Sequence, residues 1–281
     1  MGRDSLVPLV SLNNGVLMPV LGFGVFQIPP NQIIECVGVA LASGYRLIDS
    51  AASYGNETGV GLAITRSGIP RRDLFVTTKV WNGDHGYDRT IQAFNQSLTR
   101  LGLEFVDLYL IHWPLPMRDT YVDTWRALER IYSDGRARAI GVSNFGIDHL
   151  GRLLAGCEVV PAVNQVELHP GFAQDSMRAY CGAHGIAIQA WSPLGQGKGL
   201  LEHPMIRTVA LRIGKSPAQI VLRWHVQRGS AVIPKSVTPA RIRENIAVFD
   251  FVLSDEDMNA ISSVGSGNDR LGPDPDTFDI V

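Results

Sequence analysis

Asp49, Tyr54, Lys79 and His112 are the residues of this chain whose types best suit proton transfer to a substrate oxygen. Asp49, Lys79 and His112 each close a short apolar run (LID, VTTK and LIH), and Tyr54 follows just ahead of Gly55-Asn56-Glu57. A free phenol titrates near pH ~10, too high for an effective acid at neutrality. A cation held ~4 Å away at an effective dielectric near ~20 contributes about 4 kcal/mol, or roughly three pKa units, before desolvation and a nearby carboxylate push back. Lys79 is the candidate cation, Asp49 the group that keeps it charged, and His112 a hydrogen-bond partner for a substrate oxygen. Singly, Asp49 reads as a helix cap, Lys79 as a solvated strand end and Tyr54 as packing. Their convergence is what points to chemistry.

Four more apolar runs end in polar residues: VSN at Asn144, VNQ at Gln165, AWS at Ser192 and VIPK at Lys235. Strand ends ordinarily draw Gly, Asn, Asp or Ser. Lysine is rarely taken inside unless it is paired. If these runs are parallel strands closed into one barrel, their ends meet on a single rim, the C-terminal face where barrel enzymes keep their chemistry.

The chain supports that closure. Strand patterns at 21–24, 47–49, 75–79, 106–112, 138–143, 162–166, 186–192 and 231–234 alternate with helical spacing at 31–43, 56–67, 87–101, 121–134, 147–155, 175–184, 217–227 and 238–248. Such units in 281 residues predict a (β/α)8 TIM barrel, a fold that typically takes about 250 residues, in one domain spanning 1–281. An N-terminal hairpin over 1–19 turns at Asn13-Asn14-Gly15 and covers one end. Two extra helices are expected, one at 206–213 and one after Ser254. Ser216-Pro217-Ala218-Gln219 is a capping box with proline at the first helical position, and Ser254 to Asp257 follows the same capping logic. The tail, 265–281, should be loop-like, and whether it closes over the rim stays open.

Two phosphate-loop patterns fail. Gly22-Phe23-Gly24 begins a dinucleotide fingerprint, but Gln27 stands at the third glycine and Pro29-Pro30 interrupt the helix that should follow. Gly214-Lys215-Ser216 lacks its partner glycine, because Val209 holds that place.

Composition is that of an ordinary globule, with 45% hydrophobic and 19% charged residues. A net charge of -2 offers no field for gathering nucleic acid or an anionic membrane. No apolar run approaches the ~18 residues of a membrane span. Cys36, Cys157 and Cys181 form no C-x-x-C pair, and the N-terminus lacks a basic-then-apolar signal, so a cytoplasmic setting is expected. His169 and Glu167 lie close together but fit no standard metal spacing, and no metal is expected.

The stretches LIDSAASYGNE, LFVTTKVWN, LYLIHWP, GVSNF, NQVELHP, WSPLGQG and VIPKSVTPARIRENI together resemble the aldo-keto reductases, in the family's order, over residues 19–262. The resemblance implies that Tyr54 is the general acid, Lys79 and Asp49 its tuning pair and His112 the orienting group. It implies a nicotinamide held without a Rossmann fold, its carboxamide on Ser143, Asn144 and Gln165. Trp191 takes the position whose ring stacks on the nicotinamide. Many members have tyrosine there, and the tryptophan is similar to the prokaryotic 2,5-diketo-D-gluconate reductase-like branch. Ser192, Leu194 and Gly195 would lie in the loop across the pyrophosphate.

Lys235, Ser236 and Arg241 match the site for the 2'-phosphate of NADP, and Glu244 and Asn245 the adenine contacts. Two cations and a hydroxyl at a helix start also make a phosphate site on physical grounds. NADPH/NADP+ is therefore the expected cofactor. Phe26, which stands where several members have tryptophan, is expected to wall the substrate pocket with Trp81 and Trp113. The expected reaction is NADPH-dependent reduction of an aldehyde or ketone, small dicarbonyls or keto sugars among them, by a monomer. Two other readings stay open at this point: an NADPH-binding redox-sensing module with low turnover, and a phosphosugar isomerase or aldolase barrel using Lys79 as a Schiff base.

Overall fold

A computed structural model describes residues 7–265 and 269–281. Eight parallel strands, β3 (Phe23–Gly24), β4 (Leu47–Asp49), β5 (Phe75–Val80), β6 (Val106–Ile111), β7 (Ala137–Ser143), β8 (Val163–Glu167), β9 (Ala187–Trp191) and β10 (Ala231–Val232), follow one another in chain order around the sheet. A parallel bridge between Leu21 and Val232 closes it, with Gly22 N donating to Val232 O at 2.8 Å and Gly24 N to Pro234 O at 3.1 Å. Strands β1 (Leu9–Ser11) and β2 (Leu17–Pro19) form the expected antiparallel hairpin; residues 1–6 of that segment lie outside the described residues.

The barrel is built by alternation. Inward side chains start apolar at the N-terminal end: Leu47, Phe75, Leu108, Leu110, Ala139, Val163, Ala231 and Ile233 form one buried cluster with Leu12 and Met18 of the hairpin. Outward residues such as Ile48, Val76, Tyr109, Ile140, Val166, Ile188 and Val232 pack in a second cluster with the helices. A strand's period of two puts the residues of each set on one face. Asn14 Nδ2 donates to Arg138 O at 2.9 Å and Asn13 Nδ2 to Pro161 O at 3.1 Å, fastening the hairpin across the N-terminal mouth. Gly15 supplies the positive φ of its turn, 82°.

The barrel helices are α1 (Ile33–Ala42), α2 (Glu57–Ser67), α3 (Tyr87–Leu101), α4 (Tyr121–Ser133), α5 (Ile147–Leu154), α6 (Asp175–Ala183), α8 (Pro217–Gln227) and α9 (Pro239–Ile246). The two extra helices are α7 (Pro204–Ile213) and α10 (Asp255–Ser262). Helix α7 starts earlier than expected because Pro204 sits in its first turn and His203 Nδ1 accepts from Met205 N at 3.3 Å. Both capping boxes form: Ser216 Oγ accepts from Gln219 N at 3.3 Å and Ser254 Oγ from Asp257 N at 3.2 Å.

Two strands differ from their expected bounds by two residues, both at the closing seam, while the others match or shift by a single residue at one or both ends. Over 21–24, Leu21 pairs with the last strand while Phe23 and Gly24 pair with β4, so the run is shared between two neighbours. The eighth strand ends at Val232, since Pro234 has no N–H to continue the ladder. No described helix is long and apolar enough to cross a membrane.

Residues 269–281 contain no strand or helix and cross the C-terminal rim. Phe278 meets Trp113 with ring centroids 4.3 Å apart, Asp279 pairs with Arg118, and Ile280 O accepts from Asn82 Nδ2 at 2.6 Å. The described part of the tail is loop-like, as expected, and it lies over the rim.

Candidate active site

The inward rows turn polar as they climb. Phe75 and Thr77 lead to Lys79, Leu108 and Leu110 to His112, Ala139 and Gly141 to Ser143, Val163 and Gln165 to Glu167, and Ala187 and Gln189 to Trp191. The site is therefore the top layer of the barrel interior. Parallel register places Asp49 beside Thr77, and Lys79 beside Leu110, so the tips of β4, β5 and β6 converge.

Lys79 is fully buried and reaches three acceptors. Its Nζ lies 2.6 Å from Asp49 Oδ1, 2.9 Å from Ser50 O and 3.3 Å from Tyr54 Oη. An ammonium has three N–H bonds, and this geometry engages them all. Tyr54 Oη accepts from Lys79, which leaves the phenol's own O–H to donate elsewhere. The other oxygen of Asp49 accepts from Gln165 Nε2 at 2.7 Å, and Gln165 Nε2 also reaches Gln189 Oε1 at 2.6 Å. Tyr54 sits in a tight turn, Ala52–Tyr54, ended by Gly55. The His112 ring stands edge-on to Tyr54 at 5.6 Å and to Trp81 at 5.2 Å, with Ser53 Oγ 3.4 Å from its Nδ1.

Burial decides the protonation states. Desolvation opposes the Lys79 charge, yet Asp49 and Tyr54 outweigh it and its pKa is raised, so the ammonium is secure at neutral pH. For Tyr54 the balance reverses the expectation from sequence. Desolvation is the largest influence and raises the phenol pKa, Lys79 lowers it, Asp49 raises it again, and the outcome lies above the ordinary value. Without ligand, Tyr54 is a well-protonated donor, not an acidified one. His112 is held well below its ordinary value by burial first, then by Lys79 and His85, so its imidazole is neutral.

Beside this group lies a connected polar row. Trp191 Nε1 donates to Asn144 Oδ1 at 2.8 Å, Asn144 Nδ2 to Ser143 Oγ at 3.1 Å and to His112 O at 3.0 Å, and Ser143 Oγ to Gln165 O at 2.8 Å. Asn144 adopts a positive φ of 63°, a conformation asparagine tolerates better than most residues. Ser192, Leu194 and Gly195 follow Trp191 in the next loop, where Gln196 Nε2 donates to Ser192 Oγ at 2.8 Å.

Lys235 and Ser236 follow β10, and Arg241 lies in the first turn of α9. Neither Lys235 nor Arg241 makes an ion pair among the described residues. Glu244 is turned toward α8, where it accepts from Ser216 Oγ, and Asn245 is buried. Of the expected pocket walls, Phe26 is exposed and packs against Tyr54 at 5.0 Å, Trp81 is half-buried against His112, and Trp113 is buried under Phe278. No group of three or more His, Cys, Asp or Glu suited to a metal occurs among the described residues.

Sequence reasoning missed four contributors. Gln189 lies two residues before Trp191 on the same strand face, so period-two alternation could have found it. Ser53 lies inside the LIDSAASYGNE stretch, next to Tyr54. Ser50 acts through its carbonyl on Lys79, and Gly272, in the tail, through the amide that donates to Glu167 Oε2 at 2.8 Å, and main-chain groups leave no mark in residue type.

A buried ammonium thus ties a carboxylate to a phenol at the mouth of a (β/α)8 barrel. The Aldo/keto reductase family model matches residues 20–266. Glyoxal reductase of Bacillus subtilis is 51% identical over 273 residues, covering 97% of this chain and 98% of that protein. An aldo/keto reductase of Brucella melitensis, known from a crystal structure, superposes with a TM-score of 0.89 at 52% identity, over 92% of this chain and 99% of its own. A Bombyx mori aldo-keto reductase solved with NADP gives a TM-score of 0.87 at 35% identity, over 93% and 94%. The chain belongs to the aldo/keto reductase family.

Proposed function

We propose that this protein reduces aldehydes and ketones to alcohols with NADPH, using Tyr54 as the general acid. The observation that carries the reading is the grip of Lys79 on Asp49, Ser50 O and Tyr54 at 2.6, 2.9 and 3.3 Å. The residues present fit the cofactor. Trp191 offers a part-exposed indole, Ser143, Asn144 and Gln165 offer donors and acceptors for a carboxamide, and Lys235 and Arg241 have no ion pair among the described residues. A 2'-phosphate would supply the missing anion beside Ser236 and the start of α9. The same surroundings give the 2'-hydroxyl of NADH nothing to neutralise both cations.

A nicotinamide held there would supply the hydride that the carbonyl carbon receives. Tyr54 donates its proton to the carbonyl oxygen, and Lys79, already hydrogen-bonded to Tyr54 Oη, stabilises the phenolate left behind. In the tautomer where Nδ1 accepts from Ser53 Oγ, neutral His112 carries its proton on Nε2 and can direct it at the same oxygen, which would fix the carbonyl's orientation. Phe26, Trp81 and Trp113 would wall the substrate side. The glyoxal reductase relative makes small dicarbonyls the first substrates to try. Free thiols at Cys36, Cys157 and Cys181 suit a cytoplasmic setting.

A Schiff-base role for Lys79 fares worse. Its charge is reinforced and all three of its N–H bonds are engaged, whereas amine attack needs a free lone pair. The direct test mixes protein, NADPH and glyoxal and follows nicotinamide absorbance and carbonyl loss together. The reading expects them to fall in equal amounts. Carbonyl loss without NADPH oxidation, or borohydride-trappable adduct on Lys79, would refute it. Replacing Lys235 and Arg241 with methionine should weaken NADPH by about 10–100-fold per cation and leave NADH nearly unchanged.

A further inference from the structure

Glu167 closes β8 on the inner face, two residues beyond Gln165, and is almost wholly buried with no lysine or arginine paired to it among the described residues. Its carboxylate is fully occupied. His169 Nε2 lies 3.1 Å from Oε1, Leu271 N donates to Oε1 at 2.6 Å, and Gly272 N donates to Oε2 at 2.8 Å. Since an ionised carboxylate only accepts, His169 must carry its proton on Nε2. Burial works against that ionisation, but the His169 hydrogen bond and the two amides prevail and hold Glu167 below the usual carboxylate range.

What the latch presses on is Trp191, the residue paired with Glu167 across the β8–β9 ladder. A Cβ placed on Gly272 would lie 2.5 Å from Trp191 Cη2, 3.4 Å from Cζ2 and 3.0 Å from Glu167 Oε2. Only a glycine lets the tail backbone approach the ring this closely. The pyrrole end of the indole is tied by Nε1 to Asn144 Oδ1 at 2.8 Å, and the benzene end is backed by Gly272. Both ends of the ring are thereby fixed.

We infer that Glu167 is a positioning residue for cofactor binding: it anchors the C-terminal tail so that Gly272 backs Trp191 and holds its indole in the orientation that receives the nicotinamide. The inference rests on the proposed stacking role of Trp191. A latch of this kind stabilises the stacked orientation before the cofactor arrives, so its loss is felt in affinity and not in the proton-transfer machinery.

The test is NADPH binding to the full-length protein by calorimetry, with turnover of glyoxal measured in parallel, for Glu167→Gln, Gly272→Ala, Trp191→Ala and the Trp191→Ala/Glu167→Gln double variant. Glutamine can accept one tail amide but turns an NH2 toward the other, and alanine at 272 pushes chiefly on the ring, at 2.5 Å, while leaving the Glu167 carboxylate in place as an acceptor at 3.0 Å. Both single changes should weaken NADPH about tenfold and leave kcat at saturating cofactor within about threefold. In the Trp191→Ala background, Glu167→Gln should add less than about twofold, because both act through one ring. If Trp191→Ala weakens NADPH but neither Glu167→Gln nor Gly272→Ala does, the positioning role is overturned and the stacking reading stands. If Trp191→Ala leaves NADPH affinity intact, both are wrong. A fall in thermal stability with unchanged affinity also overturns the inference, and Gly272→Ala, in a half-buried strap outside the barrel core, guards against misfolding of the buried variant.

Discussion

The two ends of the barrel interior are made from the same strands and behave as opposites. Toward the N-terminal mouth, Leu47, Phe75, Leu108 and Val163 pack against Leu12 and Met18 of the hairpin, with no inward charge. One or two inward positions further along the same strands stand Asp49, Lys79, His112, Gln165 and Glu167, all buried and all joined by hydrogen bonds or ring contacts. The lower half gains stability from apolar surface withdrawn from water. The upper half takes charges out of water, which is costly unless every one is paired, and the return is chemistry at a fixed place. The hairpin seals the first end with side chains, while the tail covers the second by a strap whose backbone amides grip Glu167.

Substitutions at the two ends should separate stability from turnover. Lys79→Met should have the largest effect, because it strands Asp49 as a buried charge and leaves Tyr54 unsupported. About 3–5 kcal/mol of stability should go, and carbonyl reduction should fall roughly 100-fold or more; denaturant unfolding and NADPH oxidation read the two losses. Leu108→Ala, in the lower cluster, should cost about 2–5 kcal/mol through the cavity it leaves, with kcat changed less than about threefold. A comparable loss of turnover there would erase the division between the ends.

Acid should act from the upper end and the helix layer. His112, His85 and His225 are all held below the ordinary value of 6.5 by burial, His85 to about 4 and His225 to about 3. The folded protein keeps them neutral where the unfolded chain protonates them. Stability should therefore be constant above about pH 7 and fall as the pH drops below about 6.5, by about 1.4 kcal/mol per pH unit for each imidazole still neutral in the fold. Urea titrations at pH 7.5 and 5 check the slope; equal stability at the two values would contradict these neutral states. Ser254→Ala, which removes the α10 cap far from either mouth, should cost only about 1 kcal/mol and leave kinetics untouched.

The barrel was legible because strands and helices alternate along the chain without a break and because the strand interiors keep a period of two. Asp49, Lys79 and His112 stood out as ionisable residues closing apolar runs, which is a local signal. The sign of the Tyr54 shift was not legible, since desolvation by surroundings far apart in sequence outweighs the one cation that can be guessed. The resemblance matches Glu244 to the adenine contacts, and the meeting of its carboxylate with Ser216 Oγ is a contact that depends on how α8 and α9 pack. The latch on Glu167 was invisible for a different reason: its donors are the main-chain amides of Leu271 and Gly272, which any sequence would carry. His169 beside Glu167 reads as a structural pair in the sequence, and the 3.1 Å contact agrees.

The proposed reaction rests on Tyr54 as the proton donor held by Lys79. Single-turnover NADPH oxidation by the Tyr54→Phe variant with a small aldehyde, alongside calorimetric NADPH binding, measures it most directly. A loss of about 10²–10⁴-fold in rate with NADPH affinity within about threefold of the parent is the expected result. Near-normal turnover by the phenylalanine variant would contradict it.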